Sequence, residues 1–471
     1  MYRFRKIENL LGKHQELESQ EIYFSPPEDL NDPMEGYKDV FWKGDAIVWK
    51  NFIINYVRSI EYTFTVALLY PDKILTEQDI LVTPNPEAYK AVGMKVFLQQ
   101  ILNDLFSNEF IKVLPKAFAE RSNVIRQAEL ISYLEFIHPF VIKSVSKIYN
   151  ERGFLKKPIL TKDLLDLSQL GTKSKNLVNL INRLEAENNH IPNAAEKFFL
   201  LANMTSQQVK LMSRYDNEGE NFQPNTFFLI SEYPTKFITA LETIIFPKWY
   251  SASFMLDCRN SAVWGHYGDN HKGVCLKFRA KDQGDKLIIN LETEYGYNSA
   301  PVIGMQPHVF KKIDYQNKHV EIDFFRSLGR LNKLLLNALW YKDEEGNISE
   351  CASHLFENQD EWRNNYWENL DRSSTVKLDE WEYEKEYRLI IYGGLVDYSM
   401  PERRKLKYDF NDLESITFGM KTNDVDKTKI MRIIEKKCKE NNRKEFDFCQ
   451  AYYSKEDGEI KTYKLGLLKF D

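Results

Sequence analysis

The chain has 471 residues with 43% hydrophobic and 28% charged side chains, a composition that excludes a disordered or fibrous protein. A net charge of −5 and a pI near 6.0 argue against a surface coated with positive charge for nucleic acid. The five scattered cysteines form no CxxC pair, and no apolar run reaches the roughly 20 residues of a membrane helix. We therefore expect a cytoplasmic protein without a disulfide framework or a membrane span.

The first 43 residues predict a strand, a helix, a second strand and a turn. The stretch "YRFR" alternates aromatic and basic residues, "KIENLLGKHQ" has helical spacing, and "EIYFS" is a short apolar strand. The following "PPEDLNDPMEGY" is typical of a rigid turn, because Asn31 and Asp32 side chains bond nearby backbone amides and Pro33 fixes φ.

Residues 44–224 have a different character and predict an all-helical insertion domain. Apolar residues recur at helical spacing, and Leu177, Ile181 and Leu184 form one such row. We find no catalytic cluster in this segment. A scaffold or self-association role is favoured over a recognition role, and contact with a partner through this segment stays open.

Strand-like runs return in residues 225–400, in "TFFLISEY", "WYSASFML" and "KGVCLKFRA". A further helix is expected in "IDFFRSLGRLNKLLLNALWY", where Phe324, Leu328, Leu331 and Leu335 share one stripe. Residues 401–471 then predict a strand, a helix and a strand that complete the core. Together these elements predict an α+β fold, in which a mixed β-sheet core is split in sequence by the helical insertion.

The stretch "WEYEKEYRLI" predicts a strand with Glu382, Glu384, Glu386 and Arg388 on one face. Such a row fits either a solvated outer face or the acidic wall of a cleft, and the residues alone leave both open. Arg388 is expected to neutralise Glu386.

The stretch "SAVWGHYGDNHKGVCLKF" gathers Trp264, Tyr267 and His271 at helical spacing. These rings could stack a nicotinamide or adenine ring, or they could form a packing corner between a helix and a strand.

Two metal-dependent alternatives are disfavoured. Cys258, His266, His271 and Cys275 are zinc-ligand types, but their spacing lacks the tight pairs of a structural zinc site. A restriction-type nuclease needs a Glu-x-Lys element, whereas Lys385 follows Glu384 directly. No metal is expected.

The stretches "YRFR", "YFSPPEDLNDPMEG", "VWGHYGDNHKGVCLKF" and "WEYEKEYRLI" occur in the order found in a bacterial family, the domain of unknown function 2971. The chain resembles this family over residues 1–42 and 225–400. Family members often sit among phage-defence and toxin-like genes, which implies such a setting here. The helical block is longer than the usual family spacing, so the resemblance implies nothing about its role.

The layout is also similar, more distantly, to the ADP-ribosyltransferase superfamily. That resemblance implies an NAD⁺ cleft shared by Arg3 or Arg5 on the first strand, Ser25 after the second, and a late glutamate. Superfamily members with a Glu-x-Glu element usually use the second glutamate for chemistry. Glu386 is therefore expected to be catalytic, with Glu384 beside it, while the two arginines clamp the pyrophosphate.

We also expect Asn31, Asp32, Trp264, Tyr267 and His271 to bind NAD⁺.

The leading hypothesis is an ADP-ribosyltransferase-like effector that modifies a macromolecule, nucleic acid or protein, or hydrolyses NAD⁺, in anti-phage defence or as a toxin. A non-catalytic sensor that binds a nucleotide or a partner is the alternative, and a metal-dependent nuclease is disfavoured.

Overall fold

The computed structural model describes residues 1–83, 92–156, 176, 181, 194–216, 223–394 and 396–467. The chain forms two compact units. The first unit contains Met1–Lys38, Pro247–Val320 and Leu370–Asp471, and the second contains Asp39–Phe246 and Glu321–Asn369. Each unit is built from segments that are distant in sequence. The domain segments 1–43, 44–224, 225–400 and 401–471 stay a prediction.

The strands of the described ranges are β1 (Tyr2–Arg5), β2 (Glu21–Tyr23), β3 (Lys38–Trp42), β4 (Ile125–Arg126), β5 (Trp249–Met255), β6 (Val274–Phe278), β7 (Lys281–Gln283), β8 (Lys286–Asn298), β9 (Ala300–Val309), β10 (Lys311–Lys312), β11 (Asp314–Tyr315), β12 (Val320–Asp323), β13 (Val376–Lys377), β14 (Glu386–Tyr392), β15 (Lys405–Tyr408), β16 (Leu413–Phe418), β17 (Asp447–Ser454) and β18 (Glu459–Lys464).

The α-helices with described ends are Ile7–Leu11, Glu16–Ser19, Ala46–Leu69, Val92–Phe106, Glu109–Ala119, Gln127–Glu151, Ala194–Asp216, Pro224–Phe227, Tyr233–Leu241, Ser261–His266, Lys333–Leu336, Ser353–Glu357, Gln359–Thr375 and Asp424–Glu440. Two π-helical turns, Phe228–Glu232 and Asn337–Tyr341, continue helices, and a 3₁₀ helix spans Asp379–Glu384.

The first unit is built on an eight-stranded mixed sheet in the order β10-β14-β5-β1-β6-β16-β17-β18. The β16–β17 pair is parallel, and the other neighbours are antiparallel. A second sheet has the order β2-β15-β8-β7, with β9 paired to β8. The α+β class and the mixed sheet predicted from the sequence are confirmed.

One face of the eight-stranded sheet carries the main hydrophobic core. Phe254, Leu276 and Leu389 point into this core, which also takes in residues of the second sheet and Ile430 and Ile434 of helix Asp424–Glu440. Arg3 lies on this face, because it pairs with Leu276 in the register of β1 and β6.

The opposite face carries a smaller core and, beside it, polar groups. Phe4 packs edge-on against the buried Trp264 with ring centroids 4.9 Å apart, and Met255 belongs to the same cluster. Glu386 pairs with Met255 across β14 and β5, so its side chain also points to this face. We call this face the glutamate face.

The second unit is mainly helical and has an aromatic core. Phe325 and Trp49 approach to 5.1 Å between centroids, and Phe118 lies 5.0 Å from Trp49. Asn51 and Asn55, one turn apart on helix Ala46–Leu69, bind carbonyl groups of the π-helical turn Asn337–Tyr341. Helix Ala46–Leu69 thus satisfies backbone groups that the irregular turn leaves open.

Three element predictions were wrong. The run "TFFLISEY" is helical rather than a strand, since Pro224 and Pro234 both occupy first-turn positions of helices. The stripe at Phe324, Leu328, Leu331 and Leu335 is not one helix, because Asn332 caps a helix that begins only at Lys333.

The third correction concerns "WEYEKEYRLI", whose first part is the 3₁₀ helix and not a strand. Lys385 has φ +47°, so the strand begins only at Glu386 and the exposed Glu382 is not on it.

Of the helical row in the insertion, Leu177 and Leu184 lie outside the described residues, and Ile181 is helical and buried. No helix in the described ranges has the length and apolar character needed to cross a membrane.

Asn51 provides a test of the π-helical turn. Its amide nitrogen donates to the carbonyl oxygens of Trp340 and Lys342 at 2.8 Å each. Replacing Asn51 by Leu leaves these acceptors without that donor and should lower the free energy of unfolding by about 2 kcal/mol. Urea denaturation checks this value, with the exposed Asn364→Leu as a control expected within about 0.5 kcal/mol of wild type. An equally small effect at Asn51 would contradict the role of its amide.

Candidate functional site

A tight turn after β2 delivers Glu35 to the glutamate face. The Asp32 carboxylate accepts a hydrogen bond from the Met34 amide at 2.9 Å, and the Glu35 amide donates to the Asp32 carbonyl at 3.0 Å. Gly36 follows with φ +71°, a conformation that glycine adopts without strain. Asp32 therefore serves the turn, as its sequence context predicts.

A left-handed residue places two glutamates in one cluster. Glu384 ends the 3₁₀ helix, Lys385 has φ +47° and ψ +49°, and Glu386 begins β14. In a regular strand, Glu384 and Glu386 would share one face two residues apart. The kink at Lys385 instead lets both carboxylates reach the amino group of Lys377.

Glu386 is held by Arg388 through two parallel hydrogen bonds. The Arg388 Nε–Glu386 Oε1 distance is 2.8 Å, and the Nη2–Oε2 distance is 3.0 Å. The same Nη2 donates to Glu35 Oε1 at 2.6 Å. The geometry is the paired fork that guanidinium and carboxylate groups prefer, and it confirms that Arg388 neutralises Glu386.

Lys377 lies at the centre of the arrangement. Its Nζ atom is 2.8 Å from Glu384 Oε2, 3.2 Å from Glu386 Oε2 and 3.2 Å from Glu35 Oε1. β13 brings Lys377 there by pairing with β11, whose Tyr315 hydroxyl accepts from the Glu386 amide at 2.8 Å. Each charged side chain is at most 1% exposed. We call Glu35, Lys377, Glu384, Glu386 and Arg388 the five-charge cluster.

The five-charge cluster contains three acidic and two basic side chains, so full ionisation leaves one surplus negative charge. Burial opposes ionisation of Glu386, but Arg388 and then Lys377 outweigh it and lower its pKa to about 2. Burial raises the pKa of Glu384, against the opposing effect of Lys377. Among these two glutamates, Glu384 is therefore the one that accepts a proton more readily.

Tyr267 contacts Glu384 from the opposite side. Its hydroxyl lies 3.0 Å from Glu384 Oε1 and 3.0 Å from the side-chain oxygen of Asn31, and its single proton serves one of them at a time. Burial, followed by the charges of Glu386 and Glu384, raises the pKa of Tyr267 well above its ordinary value. The phenol is thus a neutral donor.

A cavity of about 240 Å³ lies next to Glu384. Its walls carry both signs of charge, and the lining residues are Asp257, Arg259, Asn260, Val263, Tyr383, Glu384, Lys385 and Glu459. Asn260 joins two walls, because it caps helix Ser261–His266 and donates to the Tyr383 carbonyl at 2.9 Å. Glu384 connects this cavity to the five-charge cluster.

Arg3 and Arg5 do not share a cleft with Glu386, so that prediction was wrong. Both arginines point to the main-core face of the sheet, because they pair with Leu276 and Val274. Arg3 is buried over the Phe254 ring and donates to the Tyr23 carbonyl at 2.8 Å, while Arg5 forms an ion pair with Glu16. A one-residue difference in register decides the face of every side chain on a strand.

Two further predicted residues serve packing. Trp264 is fully buried and its indole nitrogen donates to the Cys258 carbonyl at 2.8 Å. His271 stacks on Trp264 with centroids 6.2 Å apart. The packing-corner interpretation therefore holds for these two rings, whereas Tyr267 reaches Glu384. Ser25 forms a backbone bridge with Ser251 of β5 through two hydrogen bonds of 2.8 Å.

Sequence reasoning missed Glu35, Lys377 and Tyr315 as members of the site. Glu35 stands in the quoted turn "NDPMEG", where the following glycine marks a left-handed position. Lys377 and Tyr315 lie on two-residue strands that carry no periodic pattern. Within the described ranges, no group of three or more His, Cys, Asp or Glu side chains is placed to hold a metal ion.

Residues 263–389 match the model of a protein family described as "Protein of unknown function (DUF2971)". We call these matched residues, 263–389, the DUF2971 segment. This match covers about a quarter of the chain and includes Tyr267, Lys377, Glu384, Glu386 and Arg388. Comparison with curated proteins and with solved structures gave no match. The DUF2971 segment thus contains most of the five-charge cluster and part of the cavity wall.

Arg388 should be essential for stability of the DUF2971 segment. Replacing it by Met leaves Glu386 and Glu35 buried without their closest cation and should destabilise the fold by about 3–5 kcal/mol. Thermal or urea unfolding measures the loss. Arg372→Met removes an exposed arginine and should change stability by less than about 0.5 kcal/mol. Near-equal stabilities of the two variants would show that the fork is dispensable.

Proposed function

We propose that the chain is an ADP-ribosyltransferase-like enzyme that binds NAD⁺ and transfers ADP-ribose to a macromolecule or hydrolyses NAD⁺. Glu384 is the reacting carboxylate in this proposal. The observation that carries it is the position of Glu384, a buried carboxylate with a raised pKa at the wall of a cavity. A cytoplasmic role in anti-phage defence or as a toxin belongs to the same proposal and rests on the family resemblance.

The reaction needs a carboxylate that stabilises positive charge on ribose C1′ and then accepts a proton. The bond between the nicotinamide nitrogen and ribose C1′ breaks, and its electron pair leaves with nicotinamide, which departs neutral. Positive charge develops on C1′, where an ionised carboxylate stabilises it. Water or an acceptor group then bonds to C1′ and gives up a proton, which Glu384 accepts. Product release completes the balance, with one proton freed from Glu384.

Glu384 fits these requirements better than Glu386, the residue favoured by the Glu-x-Glu pattern. Both oxygens of Glu386 are engaged by Arg388, and a pKa of about 2 makes it a weak base. Glu384 accepts from one cation, Lys377, and from the neutral Tyr267 hydroxyl. In this proposal a substrate hydroxyl replaces the Tyr267 phenol at Glu384 Oε1.

The charges of the cavity wall suit the two ends of NAD⁺. The nicotinamide ring is cationic, and Asp257, Glu384 and Glu459 are acidic. The pyrophosphate is anionic, and Arg259 and Lys385 have no ion-pair partner among the described residues. A volume of about 240 Å³ is below the roughly 300 Å³ typical of small-molecule pockets, so the cavity suits the nicotinamide-ribose end while the remainder lies outside.

A non-catalytic nucleotide sensor is the second candidate. The observation that favours it is the mutual pairing of the five charges, which a purely structural cluster would also show. A sensor would bind NAD⁺ in the same cavity without releasing nicotinamide. The nuclease hypothesis gains no support, because Lys377 rather than Lys385 meets the glutamates.

Replacing Glu384 by Gln should lower nicotinamide release from NAD⁺ by at least about 100-fold, since the amide neither ionises nor accepts the proton. The matched control is Glu382→Gln, an exposed glutamate two residues away, which should keep wild-type activity. Chromatography of free nicotinamide measures both. Equal activity of the two variants would remove Glu384 from the mechanism, and absence of release by wild type with bound NAD⁺ would favour the sensor.

The pH dependence gives a separate test of the base. Glu384 must be ionised, so activity should fall as pH decreases through its pKa, which burial raises above the ordinary 4.5. Lys377 opposes that rise, so replacing Lys377 by Met should raise the pKa of Glu384 further and move the acidic limb of the kcat/KM profile to higher pH. Lys377→Arg keeps the positive charge and should leave the acidic limb at its wild-type pH. A limb that stays in place in Lys377→Met would show that another group titrates.

A further inference from the structure

Three aromatic side chains stand together next to the cavity. The ring centroids of His266 and Trp381 are 6.1 Å apart, those of His266 and Tyr383 are 6.5 Å apart, and those of Trp381 and Tyr383 are 6.1 Å apart. His266 is exposed, and the other two are half-buried. We call His266, Trp381 and Tyr383 the aromatic triad.

The aromatic triad is tied to the reacting carboxylate. Tyr383 lines the cavity beside its sequence neighbour Glu384, and it also packs against the smaller core that contains Phe4 and Trp264. Lys377 Nζ lies 4.8 Å from the centroid of the Trp381 ring, so one face of the indole covers the amino group that binds Glu384. The Tyr383 hydroxyl is 3.3 Å from His266 Nδ1.

These rings differ from the packing aromatics of the glutamate face. Trp264 and Phe4 are buried and contact each other, whereas His266 is exposed, Trp381 and Tyr383 are half-buried, and Tyr383 lines the cavity. Accessible rings held by backbone and side-chain bonds are a stacking surface for planar ligands.

We propose that the aromatic triad binds a planar, cationic nitrogen heterocycle attached to ribose, which in NAD⁺ is the nicotinamide ring. This inference rests on the proposed function and makes Trp381 and Tyr383 residues that determine specificity. Stacking orients the ring over the triad and turns ribose C1′ toward Glu384.

The cavity charges favour a single nucleotide over a nucleic-acid strand. Three carboxylates, of Asp257, Glu384 and Glu459, stand against the two cations Arg259 and Lys385. A polyanionic backbone is repelled by that balance, whereas a ligand with one cationic ring and a short phosphate group matches it. The same balance favours the cationic ring of NAD⁺ over a neutral heterocycle.

The experiment compares three related ligands that carry a cationic ring, a neutral ring or no ring. Calorimetric titration of the full-length protein uses a carbocyclic NAD⁺ analogue, whose ring-to-sugar bond does not cleave, then NADH and ADP-ribose. The cationic analogue should bind at least about tenfold more tightly than NADH, which has a neutral ring, and than ADP-ribose, which has none.

Trp381→Leu and Tyr383→Leu should each weaken binding of the cationic analogue about tenfold and leave the affinity for ADP-ribose unchanged. Trp367→Leu is the matched control, because this tryptophan is 54% exposed and outside the triad, and it should bind as wild type does. Equal affinities for the three ligands, or a preference that survives both triad variants, would overturn the inference.

Nicotinamide release by wild type separates this inference from the proposed function. Turnover that depends on Glu384 without any ring preference rejects the triad and keeps the enzyme. Ring preference without turnover keeps the triad and rejects the transferase. Failure to bind any of the three ligands rejects both.

Discussion

The site depends on the ion pairs that the amino group of Lys377 forms with three carboxylates. This amino group touches the three carboxylates within 3.2 Å in a place that excludes water, and each of those carboxylates would be costly to bury alone. Arg388 supplies the second cation, so four of five charges are balanced locally. Glu386 is the more fully neutralised of the two neighbouring glutamates, and Glu384 is the member of the cluster that also borders the cavity.

Much of the fold follows from local sequence patterns. The alternation in "YRFR" and the aromatic and apolar run "WYSASFML" correctly predicted strands, and the tail formed the expected strand, helix and strand. Short apolar runs were the source of error, because periodicity cannot separate a buried strand from one or two turns of buried helix. Prolines in the first turns of helices make "TFFLISEY" helical rather than a strand. A capping asparagine, Asn332, sets the start of the next helix at Lys333.

The site was predictable in residue type and less so in membership. Glu384, Glu386 and Tyr267 were found because charged or aromatic residues cluster in two short stretches. Arg3 and Arg5 were assigned to the same cleft by motif order, which carries no information about the face of the sheet. Glu35 was missed because its role depends on a turn more than 300 residues from its partner Arg388. Long-range pairing of this kind leaves no local signature.

The distance in sequence between Glu35 and Arg388 has a consequence for biosynthesis. β1 and β2 leave the ribosome before their partners β5, β6 and β15, which follow only after residues 39–246 have been made. The first unit is therefore a structure of high contact order, in which β1 and β2 have no strand partner until the segment 39–246 has been synthesised. Glu35 stays hydrated in that nascent chain until Lys377 and Arg388 emerge. Closure of the charge cluster is thus a late event of folding, and a truncated chain exposes its edges.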